Sequence, residues 1–153
     1  MHGYRVFGLK SDIVQPAMLQ EVLRGLGLDV PFQVVGDDAG WTASRIQLPG
    51  NGSPLDLACF LATEDDIRDD LDSWAAWLEL QEHNPNFRRL MQHVIATQQM
   101  FTLRRPFDHS DDARLDRVCD ALTQYLAQAT DGIYQVDRQG FFAADGTLLL
   151  QEH

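Results

Sequence analysis

Asp108, His109 and Ser110 carry, side by side, the side chains from which nucleophilic and metal chemistry is most often built. They belong to the run Phe107-Asp108-His109-Ser110-Asp111-Asp112, just ahead of a helical pattern. A Ser–His–Asp relay needs its three groups placed by the fold, and residues adjacent in sequence cannot line up their side chains that way. As a metal site, His109 and Asp108 supply two ligands and need a further one from elsewhere. A helix start accounts for the run more fully: Ser110 caps, and Asp111 and Asp112 meet the positive end of the dipole. If the chain is an enzyme, its site combines His109 and Asp108 with Arg104 or Arg105, a general base beside an anion clamp.

Two arginine pairs, Arg88-Arg89 and Arg104-Arg105, suggest a second chemistry. Guanidinium forks grip carboxylate or phosphate with two parallel hydrogen bonds, so convergence of the pairs would hold a small anion. The simpler reading is local neutralisation of acidic neighbours at the surface. His83 and His93 lie ten residues apart with Pro85 between them, which is not the HExxH spacing of a zinc helix. The sequence contains no glycine-rich phosphate loop, GxSxG elbow, zinc ribbon or nucleic-acid module. No cofactor or metal is therefore expected.

The densest chemical feature is anionic. Glu64-Asp65-Asp66-Ile67-Arg68-Asp69-Asp70-Leu71-Asp72 places six carboxylates in nine residues at the start of an amphipathic helix. Ile67, Leu71, Trp74, Ala75 and Leu78 share one face, and Asp65, Asp69 and Asp72 project almost opposite it. Like charges three or four residues apart cost a helix a few tenths of a kcal/mol per pair, so these residues do not serve helix stability. A partner carrying Arg or Lys would relieve the repulsion, which makes Asp65, Asp69, Asp70 and Asp72 the candidate partner-binding residues. A convex helix face spreads its oxygens, whereas a hard cation wants several converging from a loop. The competing role is solubility.

Charge is spread unevenly along the chain. Residues 1–83 hold five Lys/Arg against fourteen Asp/Glu, and the remainder seven against nine, within a net charge of −11. Such a field repels nucleic acid and anionic lipid and attracts basic surfaces, so neither nucleic acid nor membrane is an expected partner. Cys59 and Cys119 stand alone in apolar contexts, which indicates buried thiols in a reducing compartment. Met1 to Phe7 does not have the pattern of a signal peptide, and no apolar stretch approaches ~18 residues. A cytoplasmic location is the expectation.

With 153 residues and 44% hydrophobic composition, a conventional core is available to one domain spanning residues 1–153. Tyr4 to Leu9 reads as a strand, and Pro16 opens a helix whose Leu19, Val22, Leu23 and Leu26 follow a 3.6 period. Strands follow over 32–35, 41–48 and 55–61, divided by turns at 36–40 and 49–54. Turns this short make the three strands an antiparallel meander. Thr63 is expected to cap the acidic helix, and Asn84 and Pro85 to open the next, with Phe87, Leu90, Met91, Val94 and Ile95 inward. Met100 to Arg104 is a strand, and Ser110 opens a last helix that Gly132 stops. Beta-rich runs around 133–136, 141–142 and 147–150 complete the order βαβββ-αα-β-α-ββ, with Asp145-Gly146 a hairpin signal.

These elements predict an α+β fold, a mostly antiparallel sheet with about four helices packed on it. Trp74, Leu78, Phe87, Val118, Leu122 and Tyr125 are the expected core. For function, the reading is a non-enzymatic interaction protein whose acidic face engages a basic partner, in the manner of an inhibitor or immunity protein masking a cationic toxin or nucleic-acid enzyme. An enzyme or anion-binding domain built on His109 is the second reading. A structural domain that forms homo-oligomers through Tyr134, Phe141 and Phe142 of the C-terminal hairpin is the third.

Overall fold

Eight strands and four helices follow one another along the chain in a computed structural model that describes residues 2–37 and 40–152, the side chains of His2 and Asp37 excepted. In order they are β1 (His2–Gly8), α1 (Pro16–Gly25), β2 (Phe32–Asp37), β3 (Gly40–Ile46), β4 (Leu55–Leu61) and α2 (Asp65–Glu79). Then come α3 (Phe87–Ile95), β5 (Gln99–Arg105), α4 (Asp112–Ala129), β6 (Ile133–Val136), β7 (Gly140–Ala143) and β8 (Leu148–Gln151). All eight strands join one sheet in the order β2-β3-β4-β5-β1-β6-β7-β8, and every neighbouring pair is antiparallel. The fold is α+β, with the expected meander β2-β3-β4 at one side.

Strand alternation divides the core into two layers. Tyr4, Val6, Leu57, Phe101, Leu103, Tyr134 and Val136 face α1 and α4, which bring Leu19, Leu23, Leu115, Val118, Leu122 and Leu126 against them. On the other face Phe7, Met100, Ile133 and Phe141 meet Ile67 and Leu78 of α2 and Leu90 and Val94 of α3. Phe7 is fully buried there, stacked on Phe141 and edge-on to Trp74. Leu78, Val118 and Leu122 are buried as expected, whereas Trp74, Phe87 and Tyr125 are half-buried.

Local starts differ from expectation by a residue or two. Glu64, not Thr63, stands at the N-cap of α2, and its Oε2 accepts the Leu61 N–H at 2.6 Å. Asp111, not Ser110, caps α4 by accepting the Arg114 N–H. Asn84, three residues before α3 begins at Phe87, accepts from the Asn86 N–H. Only Asp111 reaches an N–H that a helix leaves open; Glu64 and Asn84 bond backbone just outside their helices. The tail forms three strands where the predicted order closed on two. Its aromatics point inward: Tyr134 and Phe141 are buried, and Phe142 stacks on Tyr134. Of the three residues anticipated as an oligomer contact, Phe142 alone is half-exposed.

His93 docks α3 against the sheet. Burial lowers its pKa from the ordinary 6.5, Arg89 adds to this, and the backbone at Asp131 and Phe7 opposes it in part. A histidine with a lowered folded-state pKa contributes stability that is full above the unfolded value and is lost as pH falls through the folded one. Stability should therefore decline on mild acidification, and His93→Gln should flatten that decline. Urea midpoints measured from neutral pH down through the histidine range check this, and identical slopes in both proteins would contradict it.

Candidate functional site

α2 runs diagonally under the sheet. Near its start Ile67 lies by Phe60 of β4, and two turns on Trp74 covers Phe7 of β1 and Phe141 of β7. Its acidic first turns therefore flank the part of the sheet that no helix covers on that face. Asp66, Asp69, Asp70 and Ser73 recur at helical spacing and form one wall of a groove of about 680 Å³. Asp56, Ala58 and Phe60 of β4 and Thr102 and Arg104 of β5 form the floor, alternate residues of two paired strands. The bare face continues across Gln33, Val35, Ala43 and Arg45 toward the β2 edge.

The groove gathers four carboxylates against one guanidinium, that of Arg104. Of the four, Asp56 is met by Arg45 at 3.1 Å, an exposed pair of small energetic weight. Among the described residues, Asp66, Asp69 and Asp70 have no cation within salt-bridge distance. Arg5, paired with Thr102 in β5, is placed near them but is engaged elsewhere. Its guanidinium donates to Asp137 at 2.7 Å and Gln135 at 2.8 Å and stacks over Trp74. Burial alone would raise the Asp137 carboxyl, but Arg5, Gln135 and the Gly3 N–H hold it below the usual carboxylate range. The groove keeps its negative charge.

The structure divides the acidic residues picked out from sequence. Asp69 and Asp70 line the groove; Asp72 lines a smaller depression on the other flank of α2, with Arg68 and Ile95; Asp65 is exposed beside neither. Asp56 and Asp66 join the groove without having been singled out. The signal for Asp56 was its place one residue out of phase with Leu55 and Leu57, on the strand face that points away from the main core.

The other sequence candidates do not come together. Asp108 accepts from the Ser53 N–H at 2.9 Å and the Ser53 Oγ–H at 2.5 Å, and these bonds lower its pKa. His109 is buried; its Nε2 lies 2.7 Å from the Ser53 carbonyl oxygen, to which it donates. Its ring fills the space above Gly52, where a Cβ would sit 2.4 Å away. Both residues thus pin the β3–β4 turn to the start of α4. Arg105 is held by Asp112 and Asp116 of α4, while Arg104 lies on the opposite sheet face. Arg88 and Arg89 are exposed on α3 and line none of the grooves that Arg104 lines.

A second concavity, about 570 Å³, lies between the β1–α1 loop and the ends of β3 and β4, among Ile13, Trp41, Cys59, Leu61, Glu64 and Gln99. Two of its polar side chains are engaged: Gln99 donates to the Lys10 and Asp12 carbonyls, and Glu64 holds the Leu61 N–H. Burial, with Glu64 adding, pushes the Cys59 thiol up to about 11, and burial pushes Cys119 to about 12. Neither is a reactive thiolate at neutral pH. Among the described residues no three His, Cys, Asp or Glu side chains are grouped to hold a metal ion, and no helix is long and apolar enough to cross a membrane. No family model, curated protein or solved structure matches the chain.

Proposed function

We propose that the protein is a non-enzymatic interaction protein that binds a basic segment of a partner protein in the groove between α2 and the bare sheet face. The observation that carries this reading is the set of Asp66, Asp69 and Asp70 beside Asp56, with Arg104 the one cation among the described residues lining the same groove. Carboxylates that outnumber the cations beside them repel one another, and an incoming Arg or Lys relieves that repulsion while the field steers the encounter. Ala58, Phe60 and Thr102 provide a floor of small and apolar groups on which the stems of such side chains can lie. A role in masking a cationic protein, as an inhibitor or immunity protein does, follows from the same chemistry.

The test is affinity capture from the native source at low and high salt, with the wild type and an Asp66/Asp69/Asp70→Asn variant. The expected result is a basic partner retained by the wild type at low salt, released at high salt, and not retained by the variant. Identical capture by both proteins, or none by either, would sink the proposal.

A further inference from the structure

We infer that two copies of the chain pair antiparallel along β2, joining their sheets edge to edge. The sheet has two edges, β2 and β8, and they are finished differently. β8 is four residues long, and the Asn86 Nδ2–H donates to its Leu149 carbonyl at 2.8 Å, so a side chain covers that edge. β2 is six residues long and has no such cover among the described residues.

The direction of its free groups follows from the ladder. The Gln47 N–H donates to the Pro31 carbonyl, which makes Gln33–Arg45 and Val35–Ala43 the hydrogen-bonded pairs with β3. Phe32 and Val34 therefore turn their N–H and C=O groups outward. An exposed edge of this kind is a template for another strand unless Lys, Pro or a bulge blunts it. Pro31, just before the strand, turns its missing N–H toward β3, so on this edge the device is the bulge between Val35 and Gly36, which leaves Phe32 to Val35 open. With a twofold axis at Gln33, Phe32 of each copy lies opposite Val34 of the other. That arrangement forms roughly four hydrogen bonds and a favourable aromatic–β-branched pair on each side.

Charge selects the occupant. Val30-Pro31-Phe32-Gln33-Val34-Val35-Gly36 is uncharged in a chain of net charge −11. A basic segment finds no carboxylate there to pair with, whereas a second copy finds a strip where its own charges are not opposed. Val34 is 37% and Val35 63% exposed, on opposite faces of the strand, and Leu26 at the end of α1 is 41% exposed nearby in sequence. Asp29 and Asp37 fall at the ends of the paired stretch, Asp29 with Arg24 at 3.8 Å. Repulsion between two copies of net charge −11 gives the dimer a salt response opposite to that of the acidic groove: salt screens it and strengthens association.

Sedimentation velocity over a range of protein concentrations, at low and high salt, tests the inference with the purified chain alone. The expected result is a species of twice the 17.3 kDa chain mass that dissociates on dilution and is favoured by salt. Val34→Pro, which removes an outward N–H, and Val34→Lys, which places charge in the strip, should each abolish it. Leu148→Lys on the β8 edge should leave it intact. Circular dichroism confirms that the variants are folded, and Val34→Lys keeps the test available if Val34→Pro is not. A monomer under all conditions, a dimer that salt dissociates, or a dimer that survives Val34→Lys in the folded protein would overturn the inference.

Discussion

Phe7→Ala should lower the free energy of unfolding by about 3–5 kcal/mol, the range for truncating a large aromatic in a core that cannot collapse around the gap. Phe7 has 0% exposure, and its ring is stacked on Phe141 at 5.8 Å and edge-on to Trp74 at 6.3 Å between centroids. Trp77 stacks on the other side of the same cluster through Phe141. Loss of the ring leaves a cavity between the central strand and α2 and removes two aromatic contacts worth about 0.5–1.5 kcal/mol each beyond area. Since a domain of this size has about 5–15 kcal/mol in total, the variant should be marginal at room temperature. Phe7→Leu, which keeps most of the volume, should lose far less. Urea midpoints at constant slope measure this. A loss under about 1 kcal/mol would mean that the α2 layer is not packed on β1 in this way.

Gly140→Ala is the second large effect, and its cause is backbone rather than side chain. Gly140 opens β7 with φ at +133°, a conformation that L residues rarely adopt. A Cβ there would stand 1.9 Å from the Leu150 carbonyl oxygen and 3.0 Å from the Gln151 Cα, both main-chain atoms of β8. Neither can rotate away, so the strand must shift. Strain and overpacking together should cost about 2–5 kcal/mol. Because β8 carries the Leu149 carbonyl that Asn86 caps, its displacement also loosens the start of α3. Hydrogen exchange should show β8 amides losing protection before those of β1 and β5. A variant within about 0.5 kcal/mol of wild type, with β8 still protected, would contradict the described β7–β8 geometry.

The layers were readable from local pattern where a single residue's burial follows its neighbours. Leu19 and Leu23 recur at helical spacing and Leu55 and Leu57 at strand spacing, and all four are buried. The meander followed from turn length alone. The insertion of β1 between β5 and β6 did not, because those pairings join residues far apart in the chain and leave no local trace. Helix starts shifted by a residue or two since they depend on the path of the loop before them. The acidic helix was legible as anionic and outward. Which of its carboxylates share a groove depends on the angle at which α2 crosses the sheet, so Asp66 and Asp56 enter the site while Asp65 and Asp72 fall outside it. Asp108 and His109 show the reverse case: their types suggest chemistry, and their geometry is that of a loop anchor to Ser53.

The most direct measurement of the groove proposal compares two variants of equal charge. Asp69/Asp70→Asn removes two carboxylates that line the groove, and Asp65/Asp72→Asn removes two from the same helix that do not. Each is titrated with a fluorescent arginine-rich peptide at low salt and again at high salt. The expected result is at least about a tenfold weaker affinity for Asp69/Asp70→Asn, near wild-type affinity for Asp65/Asp72→Asn, and loss of binding by wild type at high salt, the pattern of a localised charged site and not of overall charge. Equal weakening by the two variants, or a peptide affinity that neither variant nor salt changes, would contradict it.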